Sequence, residues 1–238
     1  MVLLDSLRQR RCQPEVMDDP ALDPARHAQA LRALAKINWL SGSTRILWQP
    51  LRALARAQPG RTLRILDVAS GGGDVPIGLW RRARRAGLSF EIHGADISPT
   101  ALDFARHKAQ QAGADIRFIR LDVHHDAIPQ GFDVLTSSLF LHHLAEAQAL
   151  SLLERMRQAA GSMVLINDLR RCRLGFVLAW LAARTLTTSA VVRVDAPRSV
   201  EAAFTLNEIQ ALATQAGMST IKLARRWPCR YLLTWRRT

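Results

Sequence analysis

The 238-residue chain has few of the residues that mark disulfide-rich, metal-thiolate or membrane-spanning proteins. Its three cysteines, Cys12, Cys172 and Cys229, are odd in number and far apart, which argues against a disulfide framework and a zinc site and for a reducing compartment. The most apolar stretch, Leu174 to Ala183, ends at Arg184 and has half of the roughly 20 residues that a membrane span needs. The first residues carry only a short apolar run before charges begin, unlike a signal peptide. We therefore expect a cytoplasmic protein without a metal.

Tyrosine is also scarce, whereas positive charge is abundant. One tyrosine, and no interleaving of basic with aromatic residues, are not typical of an RNA-stacking surface. Lys and Arg number 33 against 20 Asp and Glu, a net charge of +13, and nearly all the positive residues are arginines. Such a field attracts nucleic acid, an anionic membrane surface or an acidic substrate. Arginines on solvated faces of an ordinary globular protein are the alternative explanation.

Hydrophobic periodicity predicts helices first and then alternating strands and helices. The first twenty or so residues are charged and interrupted by proline, and we expect them to be loosely ordered. Two helices follow, the second capped by Ser43 and ended by Pro59-Gly60. From Leu63 strands alternate with helices, and the chain closes with a hairpin around Pro228-Cys229. The predicted strands are LRILDV, FEIHGADI, IRFIRLDV, FDVLTSSLFL, MVLIND, TIKLARRW and RYLLTW.

This alternation predicts an α/β, doubly wound fold, with a mostly parallel seven-stranded sheet and a C-terminal antiparallel strand. We divide the chain into an N-terminal helical segment, residues 1–60, as part of a substrate lid, and a domain over residues 61–238. A helical insert at about 169–200 contains the apolar run LGFVLAWLAA, which either forms a lid over a hydrophobic ligand or packs as a core helix. Arg170, Arg171 and Arg173 precede that run and suit phospholipid headgroups, which predicts peripheral contact with the inner membrane face.

The segment DVASGGGD, residues 67–74, lies where the first strand turns into a helix, the place where doubly wound sheets bind ligands. A dinucleotide-binding G-x-G-x-x-G counted from Gly71 would need glycine where Pro76 stands, so that motif fails. Acids at both ends of the segment, Asp67 and Asp74, would repel a pyrophosphate and suit a cofactor with a cationic end.

Acids also end the next two predicted strands. Asp96 follows the second strand, where a carboxylate accepts hydrogen bonds from ribose hydroxyls, or else serves as an acid at a helix N-terminus. Asp122 ends the third strand, where the acid or its neighbouring backbone can recognise an adenine amino group. Three acids at successive strand ends indicate a nucleoside-containing cofactor.

The motifs DVASGGGD, GADIS, LDV and FDVLTSSLFLHHL, in this order, resemble those of class I S-adenosylmethionine-dependent methyltransferases. Within that superfamily the chain most resembles the ubiquinone/menaquinone-biosynthesis C-methyltransferases, but the insert at 169–200 does not align with them. The resemblance implies a Rossmann-like methyltransferase fold over residues 61–238, with S-adenosylmethionine as cofactor and S-adenosylhomocysteine as product. The expected cofactor-binding residues are Asp67, Ala69, Gly71, Gly72, Gly73, Asp96, Ile97, Asp122, Val123 and Ser138.

The catalytic candidates are His143 and His142, which lie in LHHL directly after the fourth predicted strand. Methylation of a ring carbon needs little beyond alignment, whereas a phenol, with a pKa of about 10, gains from a general base. A packing or helix-start role is the alternative for this pair. Asp168, at the end of the fifth strand, either faces the substrate pocket or holds Arg170 or Arg171.

These features predict methyl transfer to the oxygen or ring carbon of a small lipophilic acceptor, such as a phenol, a quinone precursor or a polyketide-like molecule. The alternative is a nucleic-acid methyltransferase that uses the positive charge. Against that alternative, the fourth-strand motif of this chain, SSLFLHHL, lacks the Asn/Asp-Pro-Pro-aromatic run expected of enzymes that methylate base nitrogens. We therefore expect a small-molecule partner rather than a nucleic acid.

Overall fold

The computed structural model describes residues 7–19 and 21–237, without the side chains of Trp39 and Leu40. Two helices, α1 (Pro24–Leu40) and α2 (Ser43–Arg56), precede the sheet. The strands are β1 (Leu63–Val68), β2 (Phe90–Asp96), β3 (Ile116–Arg120), β4 (Val134–Ser138), β5 (Met163–Leu169), β6 (Lys222–Arg226) and β7 (Arg230–Arg236). The remaining helices are α3 (Asp74–Arg85), α4 (Pro99–Gln111), α5 (Glu146–Ala159), α6 (Arg173–Thr185), α7 (Ala190–Ala202) and α8 (Leu206–Gln215).

The seven strands form one sheet in the order β3-β2-β1-β4-β5-β7-β6. Strands β1 to β5 pair in parallel, and β7 runs antiparallel to both of its neighbours, β5 and β6. The predicted doubly wound sheet with an antiparallel C-terminal strand is confirmed. Since β1 lies between β2 and β4, the chain reverses its direction of travel across the sheet there, and the carboxyl ends of these strands meet at one edge.

Two predicted strands end earlier than their apolar patterns suggest. β3 stops at Arg120 and β4 at Ser138, so LDV and LFL, the last residues of the two predicted strands, lie outside the sheet. In the first loop the Asp122 carboxylate accepts hydrogen bonds from the next turn instead of continuing a ladder. In the second, Leu139 has a φ of 58°, which no strand residue adopts.

Helices cover both faces of the sheet. One hydrophobic cluster packs α5 and α8 on one face, around Leu153 and Leu212. The other packs α2 and α3 on the opposite face, around Leu51 and Leu79. Burial of these apolar faces, at about 25 cal/mol per Å², is what fixes the helices on the sheet. Ser43 does not cap α2 as predicted, because Gly42 is at the cap position and the Ser43 hydroxyl instead accepts a hydrogen bond from Arg230.

The segment before α1 is packed on the protein, which corrects the expectation of loose order for residues 7–19. A short 3₁₀ turn, Val16–Asp18, places the backbone N–H groups of Val16 and Met17 2.9 and 3.1 Å from the Asp195 carboxylate in α7. Arg10 donates to backbone carbonyls of both α7 and the loop after β4. Residues 1–6 and Pro20, which the same expectation included, lie outside the described residues.

The insert forms α6 and α7, which pack against each other. α6 is not covered on all sides, so the alternative of a core helix is wrong for it. It exposes a face defined by Leu174, Val177, Trp180 and Leu181, here called the α6 apolar face. Among residues 7–19 and 21–237, no helix is both long and apolar enough to cross a membrane.

Candidate active site

The loop between β1 and α3 is held in a conformation that few residue types adopt. Ala69, Gly71 and Gly73 have φ values of 57°, 51° and 75°, in the left-handed region that favours glycine. Gly73 also has no room for a side chain, because a Cβ there would lie 3.0 Å from Ala105 Cβ and from the Phe118 ring. The glycines therefore allow the loop to turn tightly onto α3.

Asp96, at the end of β2, connects this loop to the next one. One carboxylate oxygen accepts the Gly71 N–H at 2.8 Å, and the other accepts the Ser98 N–H at 2.9 Å. Burial raises the pKa of Asp96, and these backbone hydrogen bonds and the nearby His27 partly offset that rise. Asp96 therefore joins the glycine loop to the turn that leads into α4, where Ser98 is the N-cap, and its role towards a ribose stays a prediction.

Asp67 lies beneath the loop rather than on it. It is almost fully buried, and the Thr136 hydroxyl donates to its carboxylate at 2.5 Å. Burial raises the pKa of Asp67 to about 7, although the hydrogen bond from Thr136 opposes that rise. Asp74 is paired with Lys108 and hydrogen-bonded to Asn38. Neither acid therefore presents a free charge at the surface of the loop.

The other expected cofactor residues lie along the same edge. The Leu121 N–H donates to the Asp96 carbonyl at 3.0 Å, which places the β3 loop next to the end of β2. In that loop Asp122 accepts hydrogen bonds from the His124 N–H and from His125 Nδ1, both at 2.8 Å. Of the remaining residues, Ile97 is exposed, Val123 is buried, Gly72 faces Phe104 and Leu31, and Ser138 accepts from Asn167.

The residues along this edge fit a nucleoside cofactor with a cationic end. A Cβ at Gly71 would meet nothing within 4 Å, so the loop backbone borders open space. The buried hydroxyls of Ser70 and Ser137 have no hydrogen-bond partner among the described residues, which leaves donors for a ligand. The Asp96 oxygens have capacity for further hydrogen bonds, and α1 packs beside the loop through Leu31.

A second polar cluster lies after β4, where the LHHL segment forms a 3₁₀ turn, Leu141–His143. His142 Nδ1 donates to Asp168 Oδ1 at 2.6 Å, and the His142 N–H donates to Asp168 Oδ2 at 3.1 Å. The two side chains are 4% and 1% exposed. Asp168 therefore holds His142 and not Arg170 or Arg171, and Arg171 pairs with Glu208 instead.

His143 completes this cluster with two acids from the N-terminal segment. Its Nδ1 donates to Asp18 Oδ2 at 2.8 Å, and its Nε2 lies 3.8 Å from Glu15 Oε2. His142 Nε2 lies 3.8 Å from Glu15 Oε1. Burial by itself would lower the pKa of His143, but the hydrogen bond to Asp18 and the charges of Glu15, Asp18 and Asp168 raise it to about 9.

Sequence reasoning found the histidines but not Glu15 or Asp18. The two acids lie in PEVMDDP, and no periodicity or spacing links that stretch to a loop more than a hundred residues later. The one available signal was the density of acids between two prolines in a very basic chain. His27 was also missed, and its charge interacts with both Asp96 and Asp18. The cofactor edge (residues 69–73, Asp96 and the Asp122 loop) and the histidine cluster (Glu15, Asp18, His142, His143 and Asp168) are therefore neighbours.

The comparisons with known proteins agree with this geometry. Residues 65–161 match the family described as a methyltransferase domain. They contain the loop, Asp96, Asp122, Ser138 and both histidines, so the resemblance seen in the motifs is confirmed over this part of the chain. The expected roles of individual residues stay predictions.

The demethylmenaquinone methyltransferase of Thermus thermophilus is 35% identical over 118 residues, which are 49% of this chain and 52% of that protein. The match thus spans about half the length of this curated relative. Human N-acetylserotonin methyltransferase, solved with S-adenosylmethionine, superposes with a TM-score of 0.68 and 18% identity over 99% of this chain and 65% of that one. An O-methyltransferase of neocarzinostatin biosynthesis, solved with S-adenosylhomocysteine and 1,4-dihydroxy-2-naphthoic acid, gives 0.66 and 18% over 94% and 61%. Both structures share the fold of the methyltransferase domain.

Proposed function

We propose that the protein transfers the methyl group of S-adenosylmethionine to an oxygen or ring carbon of a small lipophilic acceptor. The observation that carries this proposal is the loop of residues 69–73, held open by Asp96 within the matched methyltransferase domain. Its open side at Gly71 and the free Ser70 and Ser137 hydroxyls favour a ligand with several polar groups.

In this proposal the residues of the cofactor edge bind and orient, and the cofactor's sulfonium supplies the activated methyl group. Asp96 would accept from the ribose hydroxyls, and the Asp122 loop would border the adenine. The glycines let the loop backbone approach the ligand closely. The chain then contributes to the reaction by aligning the acceptor with the methyl group.

The acceptor would lie towards His142 and His143, under α7. That helix contacts both the Val16–Asp18 turn and the Leu141–His143 turn, so it covers the histidine cluster. The neocarzinostatin relative was solved with a dihydroxylated naphthoic acid, and the T. thermophilus relative is named for a quinone precursor. The first name supports an aromatic, hydroxyl-bearing acceptor, and the second supports a quinone-related one. Nothing in the comparisons favours the nucleic-acid alternative.

Lipid extracts and a panel of phenols and hydroquinones, incubated with enzyme and isotopically labelled S-adenosylmethionine, test the proposal by mass spectrometry. We expect label in a lipophilic phenol or hydroquinone, and none in RNA added to the same reaction. Label that appears only in RNA would establish the alternative. Calorimetry with S-adenosylhomocysteine tests cofactor binding separately from the choice of acceptor.

We further propose that the α6 apolar face contacts an anionic membrane surface, from which a lipophilic acceptor enters. Of the three arginines predicted for lipid headgroups, Arg171 is buried and Arg170 half-buried, whereas Arg173 is exposed. Arg184 stacks on Trp180, 4.0 Å from its ring centre, so cations border the apolar face. Co-sedimentation with phosphatidylglycerol vesicles should fall about tenfold in Val177→Asp, since a charge resists burial in lipid. Equal sedimentation of both proteins would refute the contact.

A further inference from the structure

Glu15, His142 and His143 each bring one possible metal-ligand atom to the same place in the fold. The three ligand atoms all lie within 4.8 Å of one another, in the one such group found among residues 7–19 and 21–237. The side chains of Glu15, His142 and His143 are 6%, 4% and 15% exposed. Ligand atoms around a tetrahedral ion with bonds of about 2.0–2.1 Å are about 3.3 Å apart, so a closure of at most about 1.5 Å would complete the site.

Outer carboxylates fix the orientation of both imidazoles. Asp168 accepts from His142 Nδ1, and Asp18 accepts from His143 Nδ1. A ring whose Nδ1–H donates to a carboxylate presents the lone pair of Nε2 on its other side when neutral, and here each Nε2 faces Glu15. A carboxylate that holds the far nitrogen of a histidine is the usual outer partner of a metal ligand.

The charges around the cluster favour a cation. Glu15, Asp18 and Asp168 bring three negative charges to two imidazoles. The Arg10 guanidinium donates to the carbonyls of His142 and Leu144 rather than to these acids. The Ser199 hydroxyl donates to Glu15 Oε1, which leaves Oε2 towards His143.

We propose that Glu15, His142 and His143 bind one divalent transition-metal ion, with Zn²⁺ the first candidate. Two imidazoles and one carboxylate suit zinc, iron, cobalt or manganese, and three protein ligands leave a coordination position for a further oxygen. That position would take an acceptor hydroxyl, which would release its proton to water at a lower pH than the free phenol. This role rests on the proposed function, whereas the metal site itself does not.

The test is a titration of chelator-treated protein with Zn²⁺ by calorimetry, and with Co²⁺ by visible absorption. We expect one ion per chain, and at least about 100-fold weaker binding in Glu15→Gln and in His143→Asn. Asp18→Asn, which changes a half-exposed outer carboxylate, should weaken binding about 10–100-fold, and keeps the test valid if the ligand variants fail to fold. No uptake by the wild type, or equal affinity in the variants, would overturn the proposal.

A second pair of neighbouring histidines provides the matched control. His124 and His125 are exposed, and His125 Nδ1 is likewise bound to an acid, Asp122, but no described carboxylate joins the two rings into a metal-ligand group. The double variant His124→Asn/His125→Asn should bind Zn²⁺ with unchanged affinity and stoichiometry. Loss of binding there would show an adventitious surface site and overturn the proposal.

Activity separates the metal's role from the proposed function. Metal-stripped enzyme should bind S-adenosylhomocysteine as before and methylate a phenolic acceptor at least tenfold more slowly, with recovery on addition of Zn²⁺ or Co²⁺. Full activity after stripping would overturn the role in ionising the acceptor. Failure of all methyl transfer, with Zn²⁺ still bound at one per chain, would refute the proposed function and leave the metal site standing.

Discussion

The cofactor edge and the histidine cluster are two polar regions of one protein that are built in different ways. At the cofactor edge, Asp96 binds the Gly71 N–H, 25 residues away, across one strand pairing. In the histidine cluster, His143 binds Asp18, 125 residues away, and Glu15 is held by Ser199, 184 residues away. The first region can be recognised in a stretch of sequence. The second exists only when both ends of the chain meet on the domain.

Two fully buried acids show the same difference in their electrostatics. Asp67 has a neutral hydroxyl as its partner, and burial raises its pKa to about 7. Asp168 is equally buried, which would raise its pKa, but the adjacent His142 outweighs burial and lowers it. The cofactor edge thus buries an acid without a charged partner, and the histidine cluster buries charges that are paired.

Of the variants considered, Asp96→Ala should show the largest difference between the two regions, because only the cofactor edge loses a partner. In Asp96→Ala the Gly71 and Ser98 N–H groups lose their acceptor and a cofactor would lose its carboxylate, so S-adenosylhomocysteine affinity should fall at least about 100-fold, or 2.7 kcal/mol. Calorimetry measures this, with circular dichroism as the check on folding. Glu91→Gln, an exposed acid at the other end of β2, is the control. Unchanged affinity in Asp96→Ala would contradict the site assignment.

Two arginines near the start of α6 test which positive charges stabilise the side of the molecule that carries the histidine cluster. Arg171 donates to Glu208 and to the carbonyls of Leu7 and Ala203, so Arg171→Met should lower the free energy of unfolding by about 2 kcal/mol. Arg173 is exposed, and Arg173→Met should change it by less than about 0.5 kcal/mol. Urea denaturation compares them. Equal stabilities would mean that the buried pair contributes nothing.

Alanine substitutions at two glycines with similar backbone conformations distinguish the loss of ligand contact from the effect of backbone strain. Gly71 and Gly87 have φ values of 51° and 64°, and a Cβ at either would meet nothing within 4 Å. Alanine at each should cost about 1 kcal/mol of stability for the left-handed conformation. Only Gly71→Ala should weaken cofactor binding, by about tenfold, since its methyl group enters the open side of the loop. If Gly87→Ala weakened binding as much, the effect would come from strain.

The raised pKa of Asp67 predicts a pH dependence of stability that arises at the cofactor edge. Its folded pKa lies above the ordinary value of 3.8, so between those two pH values the native state holds more protons than the unfolded state. The contribution of Asp67 to the free energy of unfolding therefore decreases as the pH rises from about 4 to about 7, by about 1 kcal/mol per pH unit. Above pH 7 this contribution is constant. Asp67→Asn should remove this part of the slope and leave the part that the raised pKa values of other buried acids contribute. Unfolding curves at pH 5, 6 and 7 measure it, and parallel dependence in both proteins would refute the pKa.

Much of the methyltransferase domain could be predicted because its signals are local. The alternation of strands and helices and the glycine loop both depend on residues a few positions apart. Strand ends were less predictable, since Leu139 and Asp122 continue an apolar or acidic pattern while their backbone leaves the sheet. The exposure of α6 could not be inferred, because an apolar helix has the same sequence whether it is covered or open.

The sequence by itself determined the sheet, its antiparallel last strand and the place of the cofactor loop. Periodicity and glycine positions act over one or two turns of chain, and parallel strands must end at a common edge. Only the tertiary structure decided that PEVMDDP would bring Glu15 and Asp18 to His142 and His143, and that Arg171 would be buried. Those contacts depend on burial of α7 and the N-terminal segment on the domain, a balance of desolvation and pairing that no local pattern records.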